Sequence, residues 1–168
     1  HNINIGYLFF DFYSGALATQ DCLRLRDEVR RIKKNEPLDF LVLMGGPDFW
    51  SNGIHLGLIE HSSSPAEESM RNIEAMDDWV LELLNCTEFI TISAIHGNCG
   101  AGGFFAALAA DFVWAKQGII LNPHYKNMGN LYGSEYWTYS LPKRLSYSQI
   151  QTVMGLRQPL GVKKAQEL

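Results

Sequence analysis

What this chain lacks narrows its class before anything present does. Its 168 residues hold three cysteines, Cys22, Cys86 and Cys99, without CxxC spacing, and no basic segment followed by an apolar one opens the sequence. Neither a disulfide framework nor an export signal is therefore expected. The apolar runs are short and broken by glycine, so none suits a membrane span. Charge is sparse and interspersed, 14 Lys and Arg against 18 Asp and Glu, and the net −4 comes from no block or tail. A nucleic-acid surface is not expected from that pattern. There is no GxxxxGK[ST] phosphate loop, and HExxH or Cys/His spacing for a metal is missing as well. The expectation is a cytoplasmic protein with no bound metal. With 46% of residues hydrophobic, the chain can bury one core and form one domain, residues 1–168.

What is present alternates strand and helix. Residues 3–10 read as a strand, and 21–34 as a helix with Leu25, Val29 and Ile32 on one face and its basic residues late. The run 38–44 (LDFLVLM) is apolar at nearly every position, as in a strand covered on both faces. Ser62 to Ser64, Pro65 and Glu67 resemble a helix start with a capping box. The helix they predict runs to about Leu84, with Ile73, Met76, Trp79, Val80, Leu83 and Leu84 as its apolar stripe. Strands are predicted over 89–95, 112–115 and 119–121, helices over 102–110 and near 134–139, and a last helix is capped by Ser146 and stopped by Gly155. This order predicts an α/β fold with parallel pairing.

The segment 91–111, TISAIHGNCGAGGFFAALAAD, is the most telling. A β-branched strand breaks into Gly97, Gly100, Gly102 and Gly103 and then becomes an uncharged helix. Backbone N–H groups at such a helix start have no intrahelical partner and favour a developing negative oxygen. A second glycine turn, 45–53 (GGPDFWSNG), follows the 38–44 strand, so two strand ends can each aim an N–H at one carbonyl.

These two turns resemble those of the crotonase (enoyl-CoA hydratase/isomerase) superfamily, whose first turn has a Phe-x-x-Gly-x-Asp-Leu pattern. The similar stretch here runs from Phe49 to Leu56 through Gly53 and Ile54. The superfamily's second turn, a Gly-x-x-x-Gly-Gly-Gly leading into a helix that ends in Asp, is matched by Gly97 to Gly103 and Asp111. The resemblance implies the ββα spiral of the ClpP/crotonase fold, here without the C-terminal helices usual to it. It also implies a coenzyme A thioester as substrate, its oxygen held by the N–H groups of Ile54 and Gly102, with Asn52 near the adenine. Two departures stand out. Superfamily members that hydrate enoyl esters carry glutamates where this chain has Phe105 and His124, and hydration needs both. His55 also replaces the usual acid after the oxyanion residue.

The run NPHYKNMGNLYGSEYWTY, from Asn122 to Tyr139, together with Phe10 to Tyr13, resembles the C-terminal domain of the hydrogenase-maturation factors HypX and HoxX. In that family an N-terminal domain passes a formyl group from formyl-tetrahydrofolate to coenzyme A, and the crotonase-like domain decarbonylates formyl-CoA, giving CO for the iron of [NiFe] hydrogenase. That likeness implies Tyr125 and Glu135 as the catalytic pair, tetrahydrofolate only in an N-terminal domain outside this sequence, and hydrogenase-maturation proteins as partners; it leaves the oligomeric state open. Burial of Glu135 among Phe104, Phe105, Tyr132, Tyr136 and Trp137 is expected to raise its pKa and exclude water.

Other readings stay open on the residues alone. The glycines serve tight turns in any fold, and Glu135 is equally suited to cap a helix or to pair with Lys126, Lys143 or Arg144. His96 and His124 suit hydrogen-bonded rim positions, and Cys99 a small packing role. The competing functions are another small acyl-CoA crotonase (hydratase, isomerase, hydrolase or decarboxylase) and a non-catalytic acyl-CoA-binding assembly module.

Overall fold

The computed structural model describes residues 2–124 and 133–168. In chain order its strands are β1 (Ile5–Leu8), β2 (Ala16–Leu17), β3 (Phe40–Leu43), β4 (Phe49–Ser51), β5 (Gly53–Ile54), β6 (Ile90–Ile95), β7 (Asn98–Gly100), β8 (Phe112–Ala115), β9 (Ile120–Asn122) and β10 (Leu160–Gly161). The helices are α1 (Thr19–Asn35), α2 (Leu56–Glu60), α3 (Pro65–Leu84), α4 (Gly102–Ala107), α5 (Trp137–Ser140), α6 (Tyr147–Gly155) and α7 (Val162–Gln166), with a 3-10 turn at Tyr13–Gly15. The long elements form where the apolar periodicity predicts them. Corrections concentrate in the short ones. The turn expected over 45–53 contains β4 and part of β5, β7 lies inside the second glycine turn, and α2, β2 and β10 have too few residues for periodicity to register. Ser64 stands at the start of α3 but makes no side-chain cap, whereas the Asp21 carboxylate accepts the Ala18 N–H at the start of α1 (3.1 Å).

One sheet orders its strands β1-β3-β6-β8, all parallel. Its inner face carries Leu41, Leu43 and Ile95 into a cluster with Leu25, Val29 and Ile32 of α1 and Met76, Trp79, Val80 and Leu83 of α3. On the outer face Ile5, Tyr7, Ile90, Phe112 and Trp114 are exposed, while Val42 of the central β3 is buried among its neighbours. The expectation of a strand covered on both faces thus holds for Val42, and Ile92 beside it on β6 is buried as well, whereas the edge strands β1 and β8 keep that face bare. A second sheet runs β10-β9-β7-β4, parallel except for β10. The two short strands β2 and β5 pair in parallel beside it.

Aromatic packing fixes the second sheet beneath the first. Trp50 of β4 stacks on Trp79 of α3 with ring centroids 6.2 Å apart, and Phe10 meets the two edge-on at 5.3 and 6.0 Å. The Trp50 indole N–H donates to the Leu43 carbonyl (3.2 Å), tying β4 to the end of β3. Rings of this size carry most of the burial energy at such a junction. At the far end of α4, Asp111 accepts the Thr91 N–H and hydroxyl (both 2.8 Å) and returns its own N–H to that hydroxyl (2.9 Å). The aspartate that closes the glycine-helix motif is therefore a lock between the starts of β6 and β8.

Candidate active site

The two glycine turns meet. β4 and β7 are parallel neighbours, with Phe49 opposite Asn98 and Ser51 opposite Cys99, so the strand ends leading to β5 and α4 emerge side by side. Gly53 has φ +81°, and a Cβ there would lie 2.9 Å from the Gly102 nitrogen. A side chain is excluded by conformation and by space alike. Gly103 is equally confined, since a Cβ would collide with the Ser51 backbone. The segment carrying the Ile54 N–H thus lies against the first turn of α4, where the Gly102 N–H has no partner within the helix. Between them Ala101 adopts φ 46°, ψ −128°, a conformation costly for any residue with a Cβ, and its N–H donates to the Asn122 carbonyl (2.8 Å). That strain sets the plane of the Ala101–Gly102 peptide and so the direction of the Gly102 N–H.

Side chains around this cradle hold backbone. The Ser51 hydroxyl accepts the Gly53 N–H (3.0 Å), and the Asn52 amide donates to the Ser14 carbonyl (2.7 Å). Asn52 is therefore tied to the 3-10 turn on the rim of the cradle. His55, in place of an acid, caps α2 by accepting the Leu58 N–H on Nδ1 (3.2 Å). Its own N–H reaches the Leu17 carbonyl (2.9 Å) and, more weakly, Oδ1 of the buried Asn72 (3.4 Å). Asn72 also donates to the Cys22 thiol (3.7 Å). Sequence reasoning missed Asn72; its signal was a lone amide among the apolar residues of α3.

Glu135 lies on the other side of this chain of contacts. It is 2% exposed, and its charge acts on the Cys22 thiol. Burial first, then Asp21 and Glu135, pushes Cys22 up to about 12, which keeps it a neutral thiol and excludes it as a nucleophile. Cys99 is pushed well above its ordinary value by complete burial, as its packing role requires. The Glu135 N–H donates to Oδ1 of Asp77 (2.7 Å), and its Oε2 accepts the Ser134 N–H (3.1 Å). Two residues on, the Trp137 ring lies 6.5 Å from that of fully buried Phe105, so this arm is seated on α4. Lys143 and Arg144 are engaged elsewhere, Lys143 over the Tyr139 ring and Arg144 on the Leu108 and Ala110 carbonyls. Tyr125, together with Lys126 and Tyr132, lies outside the described residues.

Of the histidines named from sequence, His96 Nδ1 contacts the Ala94 carbonyl (3.4 Å) and His124 Nδ1 the Leu156 carbonyl (3.1 Å). Among the described residues no group of three His, Cys, Asp or Glu is gathered to hold a metal. Among the described residues no helix is long and apolar enough to cross a membrane. An apolar cavity of about 240 Å³ borders Phe104, Leu108, Leu141, Val153 and Leu160, but neither Ile54, Gly102 nor Glu135 lines it.

Comparison with known proteins places this geometry. Residues 16–168 match the family described as enoyl-CoA hydratase/isomerase. The hydrogenase maturation factor HoxX of Bradyrhizobium diazoefficiens is 52% identical over 164 residues, covering 98% of this chain and 29% of the relative. HypX from Aquifex aeolicus, solved in complex with tetrahydrofolic acid, superposes with a TM-score of 0.94 at 50% identity over 97% of this chain and 29% of that one. The sequence thus spans under a third of the length of either. The enoyl-CoA hydratase of Bacillus anthracis, at 16% identity and a TM-score of 0.86, shares the fold.

Proposed function

Given that the chain belongs to the enoyl-CoA hydratase/isomerase family, we propose that it decarbonylates formyl-CoA to CO and coenzyme A and so supplies carbon monoxide in hydrogenase maturation. The observation that carries this reading is the seat of the Glu135 arm: Trp137 packs on Phe105, the position where hydratases of this superfamily keep a glutamate. The carboxylate of ordinary hydration is absent there, and Glu135, two residues before Trp137, carries a different, buried one. The high identity to HoxX and HypX supports the same assignment.

In the proposed reaction the N–H groups of Ile54 and Gly102 polarise the thioester oxygen. The Glu135 carboxylate takes the formyl proton, the C–S bond breaks with its electron pair on sulfur, and CO departs. Sulfur receives a proton from the Tyr125 phenol, which Glu135 then restores, so one formyl ester gives one CO and one thiol. Asn52 on the rim is the proposed contact for the coenzyme A moiety. The apolar surroundings, Phe104, Phe105 and Trp137, keep water from hydrolysing the ester to formate.

The test is direct. The full-length protein is mixed with formyl-CoA and released CO is trapped on reduced haem. The wild type is expected to yield CO stoichiometric with free thiol, and Glu135→Gln and Tyr125→Phe to lose most of that activity. Formate in place of CO would indicate a hydrolase, and wild-type rates in both variants would overturn the residue assignment. Binding of the ester without turnover of any acyl-CoA would point to an assembly module.

A further inference from the structure

The chain reaches Glu135 by an improbable route. Gly133 has φ +79°, and Glu135 and Tyr136 both have φ +51°. Glycine takes this left-handed conformation freely; two successive residues with bulky side chains do not, and such a pair persists only where the surroundings impose it. Those surroundings are identifiable. Oδ1 of Asp77, on α3, accepts the Glu135 N–H (2.7 Å), and the Ser134 hydroxyl donates to the same carboxylate. The Ser134 N–H then closes on the Glu135 carboxylate (3.1 Å). The downstream side is held by α5 itself, with the Ser140 N–H on the Tyr136 carbonyl (3.0 Å).

Among the described residues no Lys or Arg pairs with Asp77, and burial raises its carboxyl above the ordinary range, with Asp78 adding to that. A half-buried acid with no cation among the described residues is kept at a cost, and here what it receives is backbone and hydroxyl hydrogen from the 134–135 turn. We infer that Asp77 is a positioning residue for Glu135, holding the left-handed turn that delivers its carboxylate to the interior. The inference rests on the proposed role of Glu135 and extends it to a residue on another element that does not touch the substrate.

The test compares three substitutions in the full-length protein, reading CO release from formyl-CoA and thermal melting. Asp77→Asn keeps an acceptor oxygen in place without the charge and is expected to hold kcat within about 3-fold of wild type, since the geometry survives. Asp77→Ala removes the acceptor and is expected to lower kcat by roughly 10–100-fold with KM little changed, the signature of a misaimed catalytic group. Asp77→Glu keeps the charge but displaces the acceptor by a methylene; it is expected to fall below Asp77→Asn, and serves if the alanine variant does not fold. Activity in Asp77→Ala within 2-fold of wild type, or Asp77→Glu equal to or better than Asp77→Asn, would overturn the inference. Glu135→Gln in the same assay separates the two levels: if it is fully active, the role of Glu135 itself fails, and if it is inactive while Asp77→Ala is normal, only the positioning role does.

Discussion

The two halves of the candidate site are built by opposite means. The cradle formed by residues 45–55 and 97–107 is backbone, set by parallel strand ends that lie side by side and by glycines at which a Cβ would collide with a neighbouring chain segment. The arm over 133–137 is a side-chain device, a carboxylate carried on a left-handed turn and pinned from a distant helix. A cradle of the first kind cannot be altered without disturbing the sheet beneath it. An arm of the second kind can be exchanged while the cradle stays, and under the proposed function Glu135 serves in place of a glutamate at the Phe105 position.

The sharpest way to break that contrast is Glu135→Gln. Loss of a proton-transfer group should cost about 10²–10⁴-fold in kcat, while the melting temperature stays close to wild type. A variant that melts as well as failing to turn over would place Glu135 in the scaffold. Next in size is Gly103→Ala, where the new methyl meets the Ser51 backbone. Denaturant titration should show about 1–3 kcal/mol lost, with activity falling alongside, because the cradle and the fold are the same atoms. Asp111→Ala should cost roughly 1–3 kcal/mol by leaving the Thr91 hydroxyl and N–H without their acceptor, yet spare the KM for the CoA ester.

The smallest effect concerns pH. Burial raises the Asp77 carboxyl above its ordinary value, so the folded chain holds that proton more tightly than the unfolded one. Wild-type stability should therefore decline, relative to Asp77→Asn, as pH rises from about 4 through the folded value, and the difference should level off above it. Urea midpoints of the two proteins measured across pH 4 to 8 provide the check, and a difference that grows in the opposite sense would mean that the hydrogen bonds to Asp77 outweigh its burial.

Much of the cradle was legible beforehand. Leu25, Val29 and Ile32 mark the buried face of α1, and Met76, Trp79, Val80 and Leu83 that of α3, because a helix packed on a sheet needs an apolar stripe at that period. Glycine clusters after two buried strands pointed to close backbone approach, and Gly53 lies against Gly102. The short strands β2, β5 and β7 escaped notice, since two or three residues carry no periodicity. Asn72, the one amide on the buried face of α3, left a faint signal, whereas Asp77, next to Asp78 on the same helix, reads as surface until its partners are known. The left-handed turn at Glu135 and Tyr136 was invisible for a related reason, being imposed on residues with no local preference for it.

By itself, then, the sequence determined the alternation of strands and helices, the apolar stripes and the two glycine turns, because these follow from local propensity and from burial repeating at fixed intervals. Only the tertiary structure decided that the two turns meet at Gly53 and Gly102, that Trp50 stacks on Trp79, and that a carboxylate 58 positions away in the chain holds the Glu135 amide. Contacts across such separations depend on how whole elements pack, and no local pattern records them.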